Sequence, residues 1–158
     1  MAENPQWDSA RAREIVSAHA GRDGAALPIL HALQDEFGFI SEEAIPMVAS
    51  ALNLSRAEVH GIVTFYHDFR SKPAGRHVLK LCRAEACQSM GCATLSEEFL
   101  RREGLQWGET TQDGALTVEA VYCLGLCACA PAAHYDGEPV ARLNHAILEA
   151  LAREARQA

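Results

Sequence analysis

The sequence predicts an α+β fold, with an N-terminal helical bundle subdomain over residues 1–72 and a domain with a small mixed sheet over residues 73–158. Apolar residues recur at helical spacing as far as residue 69, whereas short β-like runs follow later in the chain. Residues 71–75, Ser-Lys-Pro-Ala-Gly, lie between the two patterns and form the clearest break in the chain. These observations together predict the two-part organisation.

The first two helices are predicted from the residues at their ends. Asp8 or Ser9 can cap a first helix that runs to residue 20 and is closed by Gly21. Pro28 suits the first turn of a second helix, which Gly38 ends. The apolar stripe of this second helix consists of Ile29, Leu30, Leu33 and Phe37.

Two further helices are predicted before the break. Ser41 caps the third helix, and Pro46 lies deep enough in that helix to predict a bend. Ser55-Arg-Ala-Glu58 is a capping box that opens the fourth helix. The inner side of the fourth helix is expected to carry Val59, Ile62, Val63 and Tyr66 or Phe65.

The second region alternates strand and helix patterns. The predicted elements are a strand at 78–81, a helix at 94–102, a strand at 116–122, a hairpin at 133–142 and a helix capped by Asn144. The hairpin is predicted because Asp136-Gly137 is a favoured two-residue turn. The order β-α-β-β-β-α behind four helices predicts a small thioredoxin-like sheet.

Composition limits the possible classes of function. The apolar share of 49% in 158 residues is enough for a core, and a net charge of −7 with 14 Lys and Arg argues against a nucleic-acid partner. No apolar run approaches the roughly 20 residues that span a bilayer. The first 14 residues also lack the apolar segment of a secretory signal. We therefore expect a cytoplasmic protein without a membrane span, where paired cysteines more often indicate metal or redox chemistry than disulfides.

Two cysteine pairs are the main functional signal. Cys82-x4-Cys87 follows the first predicted strand, and Cys123-x3-Cys127 follows the second. Two strands that end side by side would bring all four thiolates to one edge of the sheet. Four converging thiolates are the ligands of a [2Fe–2S] cluster or of a structural zinc ion.

The spacing of the cysteines favours the iron–sulfur alternative over its rivals. Structural zinc usually shows shorter C-x2-C pairs, and a thioredoxin-type dithiol also needs C-x-x-C. A Rieske-type site needs two histidines, and none lies between residues 82 and 129. Cys92 and Cys129 are interpreted as packing residues, because a [2Fe–2S] cluster needs only four thiolates. A structural zinc ion remains the alternative from spacing alone.

The motifs resemble the thioredoxin-like [2Fe–2S] subunit family. The resemblance lies in the run Val59-His-Gly-Ile-Val-Thr-Phe-Tyr66, the first cysteine pair, and Cys123-Leu-Gly-Leu-Cys127-x-x-Ala-Pro131. The family includes the 24-kDa-type subunit of NADH-quinone oxidoreductase and its relatives in NAD-reducing hydrogenases and NAD-dependent formate dehydrogenases. The resemblance implies that the four paired cysteines hold one [2Fe–2S] cluster, whereas Cys92 and Cys129 do not match ligand positions of the family.

The first cysteine loop gives a finer resemblance. Cys82-Arg-Ala-Glu-Ala-Cys87-Gln-Ser-Met-Gly91 looks most like the gamma subunit of soluble, molybdenum-dependent, NAD-linked formate dehydrogenases. That resemblance implies a molybdenum-containing catalytic partner that oxidises formate to CO2, and a partner with FMN that reduces NAD+, with further Fe–S clusters between them. This chain would then be a non-catalytic electron-transfer subunit.

Three alternatives to this function stay open. A 24-kDa-type subunit of NADH-quinone oxidoreductase or of a hydrogenase is the nearest. A stand-alone [2Fe–2S] ferredoxin would not need the helical lead, and a zinc-stapled module would have no redox role. Arg83 is expected either to place a positive charge near the cluster or to lie solvated at the surface.

Overall fold

The computed structural model describes residues 6–157. Residues 1–5, on which part of the expectation about a secretory signal rests, and residue 158 lie outside the described residues. Contacts divide the chain into two compact units, one that ends at Pro73 and one that begins at Ala74. The predicted domains 1–72 and 73–158 stay a prediction.

The described part of the first unit contains four helices, α1 (Ser9–His19), α2 (Ala26–Phe37), α3 (Ala44–Leu52) and α4 (Arg56–Phe65). The Asp8 carboxylate accepts hydrogen bonds from the backbone N–H groups of Ala10 and Arg11, so it caps α1 as predicted. Gly38 ends α2 in the left-handed conformation. At the start of α4, both reciprocal bonds of the Ser55–Glu58 capping box are present.

The prediction for the start of α3 was two residues too early. Ser41 lies in the turn before the helix, where its hydroxyl accepts from the N–H of Glu43, and α3 begins at Ala44. Pro46 is therefore the third residue of the helix. An N–H in the first turn has no helical partner, so a proline there requires no bend.

The prediction for the aromatic residues of α4 was also wrong. Val59 is buried as predicted, but Phe65 is 73% exposed and Tyr66 is 43% exposed. The helix ends at Phe65, and Tyr66 already has an extended backbone, so neither residue continues the inner face. Phe69 enters the core instead, where its ring lies 5.0 Å from that of His31. The remaining core of this unit consists mainly of Ile15, Val16, Ile29, Leu30, Leu33, Phe37, Ile40, Val48 and Val59.

The second unit contains a four-stranded mixed sheet. Its strands are β1 (His77–Cys82), β2 (Leu116–Val121), β3 (Ala133–Tyr135) and β4 (Glu138–Val140), in the order β2-β1-β3-β4. β1 and β2 are parallel, whereas β1–β3 and β3–β4 are antiparallel. The connection between the two parallel strands contains two helices, and a crossover of this kind is needed to join parallel strands. The α+β architecture with a small mixed sheet is therefore confirmed.

Three helices accompany the sheet, α5 (Glu85–Ser89), α6 (Cys92–Glu103) and α7 (His145–Gln157). The sequence analysis predicted α6 and α7 but treated the residues of α5 as a loop. A five-residue helix is too short to produce a periodic apolar pattern. The core between the two longer helices and the sheet contains Leu79, Leu81, Leu95, Phe99, Leu100, Leu116, Val118, Leu148 and Ala152.

The hairpin between β3 and β4 has the predicted turn. Asp136 and Gly137 have φ values of 52° and 87°, as expected for a two-residue turn with positive φ at both central positions. The Asp136 carboxylate also accepts from the N–H of Val78, over 2.8 Å, so the turn is tied to β1.

Among the helices of residues 6–157, none combines the length and the apolar character needed to cross a bilayer.

Candidate metal centre

The parallel pairing of β1 and β2 brings the four paired cysteines to one edge of the sheet. In the register of the two strands, Cys82 lies opposite Val121, so both strands end at the same level. Cys87 follows in α5, and Cys123 comes two residues after Val121. Cys127 begins a short 3-10 turn over Cys127–Cys129.

The backbone of both cysteine segments converges on the sulfur of Cys82. The backbone N–H groups of Ala84 on the first segment and of Cys123 and Leu124 on the second lie near this sulfur and lower its pKa. Because N–H groups of the second segment act on the pKa of a sulfur of the first, the two cysteine pairs belong to one site. Backbone N–H donors of this kind stabilise negative charge on sulfur.

The other sulfurs also have backbone donors. The N–H of Ala132, next to β3, acts to lower the pKa of Cys87. Cys123 accepts from the N–H of Gly125 over 3.4 Å. Cys123 itself has a φ of 104°, which is rare for a residue with a side chain. Such a backbone conformation is typical of functional sites that the surrounding structure holds in place.

The two pairs differ in their exposure to solvent. Cys82 and Cys87 are each only 3% exposed, whereas Cys123 and Cys127 are exposed. The buried pair is enclosed by small and apolar residues, namely Ala84, Cys92, Val121, Leu124, Leu126, Ala130 and Ala132. The site therefore has a dry inner side and an outer side that reaches the surface.

The thiols of the site affect one another's pKa. Burial would raise the pKa of Cys82, but the N–H donors and the neighbouring Cys87 thiol outweigh it and lower the pKa. Burial, together with hydrogen bonding and charge repulsion from Cys82, raises the pKa of Cys87 to about 11. Repulsion by Cys123, and less by Cys82, raises the pKa of Cys127. Four thiolates are therefore mutually repulsive here unless positive charge is bound among them.

The arrangement fits two metal ions with two thiolates each. Within residues 6–157, no three His, Cys, Asp or Glu side chains form a group suited to holding one ion. A [2Fe–2S] cluster does not require such a group, because each of its irons takes two of the four protein thiolates and the inorganic sulfides complete the coordination. The donor set of two adjacent thiol pairs with N–H groups aimed at the sulfurs fits this cofactor.

The two remaining cysteines contact the backbone beside the paired ones. The Cys92 thiol, which is 1% exposed, donates to the carbonyl oxygen of Cys82 over 2.7 Å and lies 3.5 Å from the hydroxyl of Ser96. The Cys129 thiol donates to the carbonyl oxygen of Leu126 over 3.4 Å. Both thiols thus have hydrogen-bond partners, in keeping with their interpretation as packing residues.

Arg83 contacts an aromatic ring of its own unit. It directly follows Cys82, the last residue of β1. Its guanidinium lies over the ring of Trp107, 4.9 Å from the ring centroid. Neither sequence expectation for Arg83 included this cation–π contact, because Trp107 is distant in sequence.

The fold and the site define a class of protein, a small mixed-sheet domain that gathers two cysteine pairs where two parallel strands end. Comparison with known families agrees with this description. Residues 12–156 match the thioredoxin-like [2Fe–2S] ferredoxin family, and the chain belongs to that family. The resemblance predicted from the cysteine motifs is confirmed at this level.

Similar proteins are subunits of redox complexes. NADH-quinone oxidoreductase subunit 2 of Thermus thermophilus is 35% identical over 132 residues, which cover 83% of this chain and 73% of that one. A subunit of the NADH-quinone oxidoreductase of Rhizobium meliloti is 35% identical over 150 residues, which cover 92% and 89% of the two chains.

A solved structure has the same fold. The crystal structure of an NAD+-reducing [NiFe]-hydrogenase in the air-oxidised state matches 84% of this chain with a TM-score of 0.69 and 27% identity. This chain spans only 23% of the hydrogenase chain that it matches. The domain is thus part of a much longer polypeptide in that protein.

Proposed function

We propose that Cys82, Cys87, Cys123 and Cys127 hold one [2Fe–2S] cluster and that the chain is an electron-transfer subunit. The observation that carries this proposal is the convergence of two cysteine pairs at one edge of the sheet in a [2Fe–2S] ferredoxin family member. When bound, the cluster would accept and release single electrons. The protein's own part is to supply thiolates, N–H donors and a dry inner wall.

The ligand set indicates a low reduction potential. All-cysteine clusters of the plant type lie near about −400 mV, whereas replacement of two cysteines by histidines raises the potential strongly. A low potential suits exchange with flavin and nicotinamide. The exposed pair, Cys123 and Cys127, offers the short path to such a partner, because the other pair is buried.

We further propose that the parent complex is a soluble, NAD-dependent formate dehydrogenase in the cytoplasm. In this assignment the partners are an FMN- and NAD-binding subunit and a molybdenum-containing catalytic subunit with further Fe–S clusters. The support is the residue pattern of the first cysteine segment, Arg-Ala-Glu-Ala between Cys82 and Cys87 followed by Gln-Ser-Met-Gly. No residue of this chain would act as acid, base or nucleophile.

A second candidate is a subunit of NADH-quinone oxidoreductase or of an NAD-reducing hydrogenase. The names of the similar proteins favour it, since they belong to these two kinds of complex. In both candidates the chain exchanges single electrons with a flavin-bearing partner. The candidates differ in the catalytic subunit at the far end of the electron path.

The cluster is tested on the purified chain. We expect red-brown protein with about two irons and two acid-labile sulfides per chain, and an EPR signal that appears only after reduction. Colourless protein that contains zinc would overturn the redox proposal.

The parent complex is tested by purifying the tagged full chain with its partners from the native host. Molybdenum in the purified complex, together with formate-dependent reduction of NAD+, supports formate dehydrogenase. NADH–quinone or hydrogen–NAD+ activity without molybdenum would assign the second candidate instead.

A further inference from the structure

One residue binds the backbone on both sides of Ala84. The Gln88 side-chain amide donates to the carbonyl oxygen of Arg83 over 2.6 Å, and the Gln88 backbone N–H donates to the carbonyl oxygen of Ala84 over 2.9 Å. Since a carbonyl oxygen can only accept, the NH2 group of the side chain is the part that faces Arg83. The peptide groups before and after Ala84 are therefore both held by Gln88, an exposed residue of α5.

The peptide group before Ala84 connects this contact to the cysteine site. It consists of the Arg83 carbonyl and the Ala84 N–H, which lie in one plane and point in opposite directions in a trans peptide. A bond that fixes the carbonyl therefore also fixes the direction of the N–H. That N–H lies near the Cys82 sulfur, where an N–H donor stabilises negative charge.

The preceding peptide group, between Cys82 and Arg83, is held by other partners. The Cys82 carbonyl oxygen accepts from the Cys92 thiol over 2.7 Å, and the Arg83 N–H donates to the carbonyl oxygen of Val121 over 2.7 Å. The chain is thus tied to α6 and to β2 as far as Arg83. The bond from Gln88 extends this fixation by one peptide group, to the N–H that lies near the sulfur.

We infer that Gln88 is a positioning residue, which holds the Arg83–Ala84 peptide group with its N–H toward the Cys82 sulfur and thereby raises the reduction potential of the cluster. The inference rests on the proposed function, because it takes Cys82 to be a ligand of a [2Fe–2S] cluster. Reduction adds negative charge to the cluster, so an N–H donor at a ligand sulfur stabilises the reduced form more than the oxidised form. Loss of the Gln88 amide should therefore make the cluster harder to reduce.

Ser89 allows this role to be separated from a purely structural one. Its hydroxyl donates to the carbonyl oxygen of Ala86 over 2.8 Å, so it too binds a backbone carbonyl from α5. Like Gln88, it is exposed and uncharged. Ser89→Ala thus removes a bond of the same kind from the same helix but leaves the bond to the Arg83 carbonyl in place.

The experiment measures the reduction potential of the cluster in the purified full chain, by potentiometric titration followed by EPR. Gln88→Met keeps the length and the neutrality of the side chain but removes the donor. The equilibrium constant for one-electron reduction should fall by about fivefold or more, where tenfold corresponds to about 59 mV. Gln88→Ala should shift the potential in the same direction. Ser89→Ala should keep this equilibrium constant within about twofold of the wild type.

Electron–nuclear double resonance of the reduced cluster gives a second readout, which a purely structural role of Gln88 would not change. Exchange into D2O identifies the exchangeable N–H protons closest to the unpaired spin. Gln88→Met should weaken the coupling of one of these protons, whereas Ser89→Ala should keep the couplings of the wild type.

Three results would overturn the inference: an unchanged potential in Gln88→Met, an equal shift in Ser89→Ala, or a shift with the proton couplings of the wild type. Loss of the cluster from both Gln88 variants, with Ser89→Ala loaded normally, would make Gln88 necessary for holding the cluster and would also overturn the tuning role.

The metal content of the wild type separates this inference from the proposed function. If the wild-type chain holds zinc, the proposed function fails and the inference fails with it. If the wild-type chain holds a [2Fe–2S] cluster and the Gln88 variants have its potential, only the inference fails.

Discussion

At the scale of single residues, the six cysteines divide into four proposed ligands and two neighbours. Cys82 illustrates the difference, because three backbone N–H groups lower the pKa of its thiol, while Cys92 donates its own proton to the Cys82 carbonyl oxygen. A thiol that acts as a donor to a carbonyl already has a structural role that does not require metal. Backbone N–H groups near a sulfur stabilise its thiolate form, which is the form that binds metal.

Single serine substitutions should therefore separate the two groups. Serine at position 82, 87, 123 or 127 should remove the cluster or change its EPR spectrum, because a thiolate ligand is lost. Cys92→Ser and Cys129→Ser should keep about two irons per chain, since serine retains a hydrogen-bond donor. Iron analysis and EPR provide the measurement. Loss of the cluster in Cys129→Ser but not in Cys127→Ser would show that the ligand assignment is wrong.

Alanine substitutions at two glycines should change the stability of the protein in opposite directions. A Cβ on Gly75 would lie 3.0 Å from the carbonyl oxygen of Gly114 and 3.1 Å from the N–H nitrogen of Leu116, so Gly75→Ala forces backbone apart. We expect it to lower the free energy of unfolding by about 1–3 kcal/mol. Gly61→Ala is the control, because nothing lies within 4 Å of its Cβ and it sits inside α4. That change should raise stability by about 0.5–1 kcal/mol, as urea denaturation can measure.

At the scale of elements, the sequence patterns that predicted the structure correctly are local. The capping box of α4, the glycine after α2 and the Asp136-Gly137 turn act through neighbouring backbone groups, so a few residues suffice to predict them. The signals that failed depend on distant groups. Neither the outward position of Phe65 nor the contact of Arg83 with Trp107 follows from the residues next to them.

The capping box also gives a pH-dependent prediction. Hydrogen bonds from the N–H and the hydroxyl of Ser55 lower the pKa of Glu58 below its ordinary value. A carboxyl whose pKa is lower in the folded than in the unfolded chain adds stability above its unfolded pKa, and this is lost as pH falls through the folded pKa. Ser55→Ala should cost about 1 kcal/mol near neutral pH. In thermal melts between about pH 7 and pH 3, Glu58→Gln should flatten the acid side of the stability curve. An unchanged acid side would contradict this role of Glu58.

The candidate site was predictable only in part for the same reason. Two β-like runs, each followed by a cysteine pair, predicted the meeting of the pairs, and the parallel register of β1 and β2 accounts for it. The donors to the sulfurs were not predictable. The N–H of Ala132 lies near Cys87 because β3 pairs with β1. The number of residues between 87 and 132 does not predict that pairing.

At the scale of the whole molecule, the site belongs to one unit of the chain. The four cysteines and the N–H donors described for them lie in the unit that begins at Ala74, whereas the core of the first unit is formed by its own helices. Ligand binding stabilises the state that contains the formed site, and binding energy of a metal cofactor contributes to folding energy. Removal of the cluster should therefore affect the two units unequally.

Hydrogen exchange of the full chain before and after removal of iron tests this expectation. Without positive charge at the site, repulsion among Cys82, Cys123 and Cys127 favours opening of the segments that carry them. Amides of residues 82–92 and 121–133 should then exchange at least about tenfold faster, which corresponds to roughly 1.4 kcal/mol of local stability. The helices α1–α4 should keep their exchange rates and serve as the internal control. Equal acceleration in these helices would indicate that the two units unfold as one, and would contradict the expectation that cluster removal affects the two units unequally.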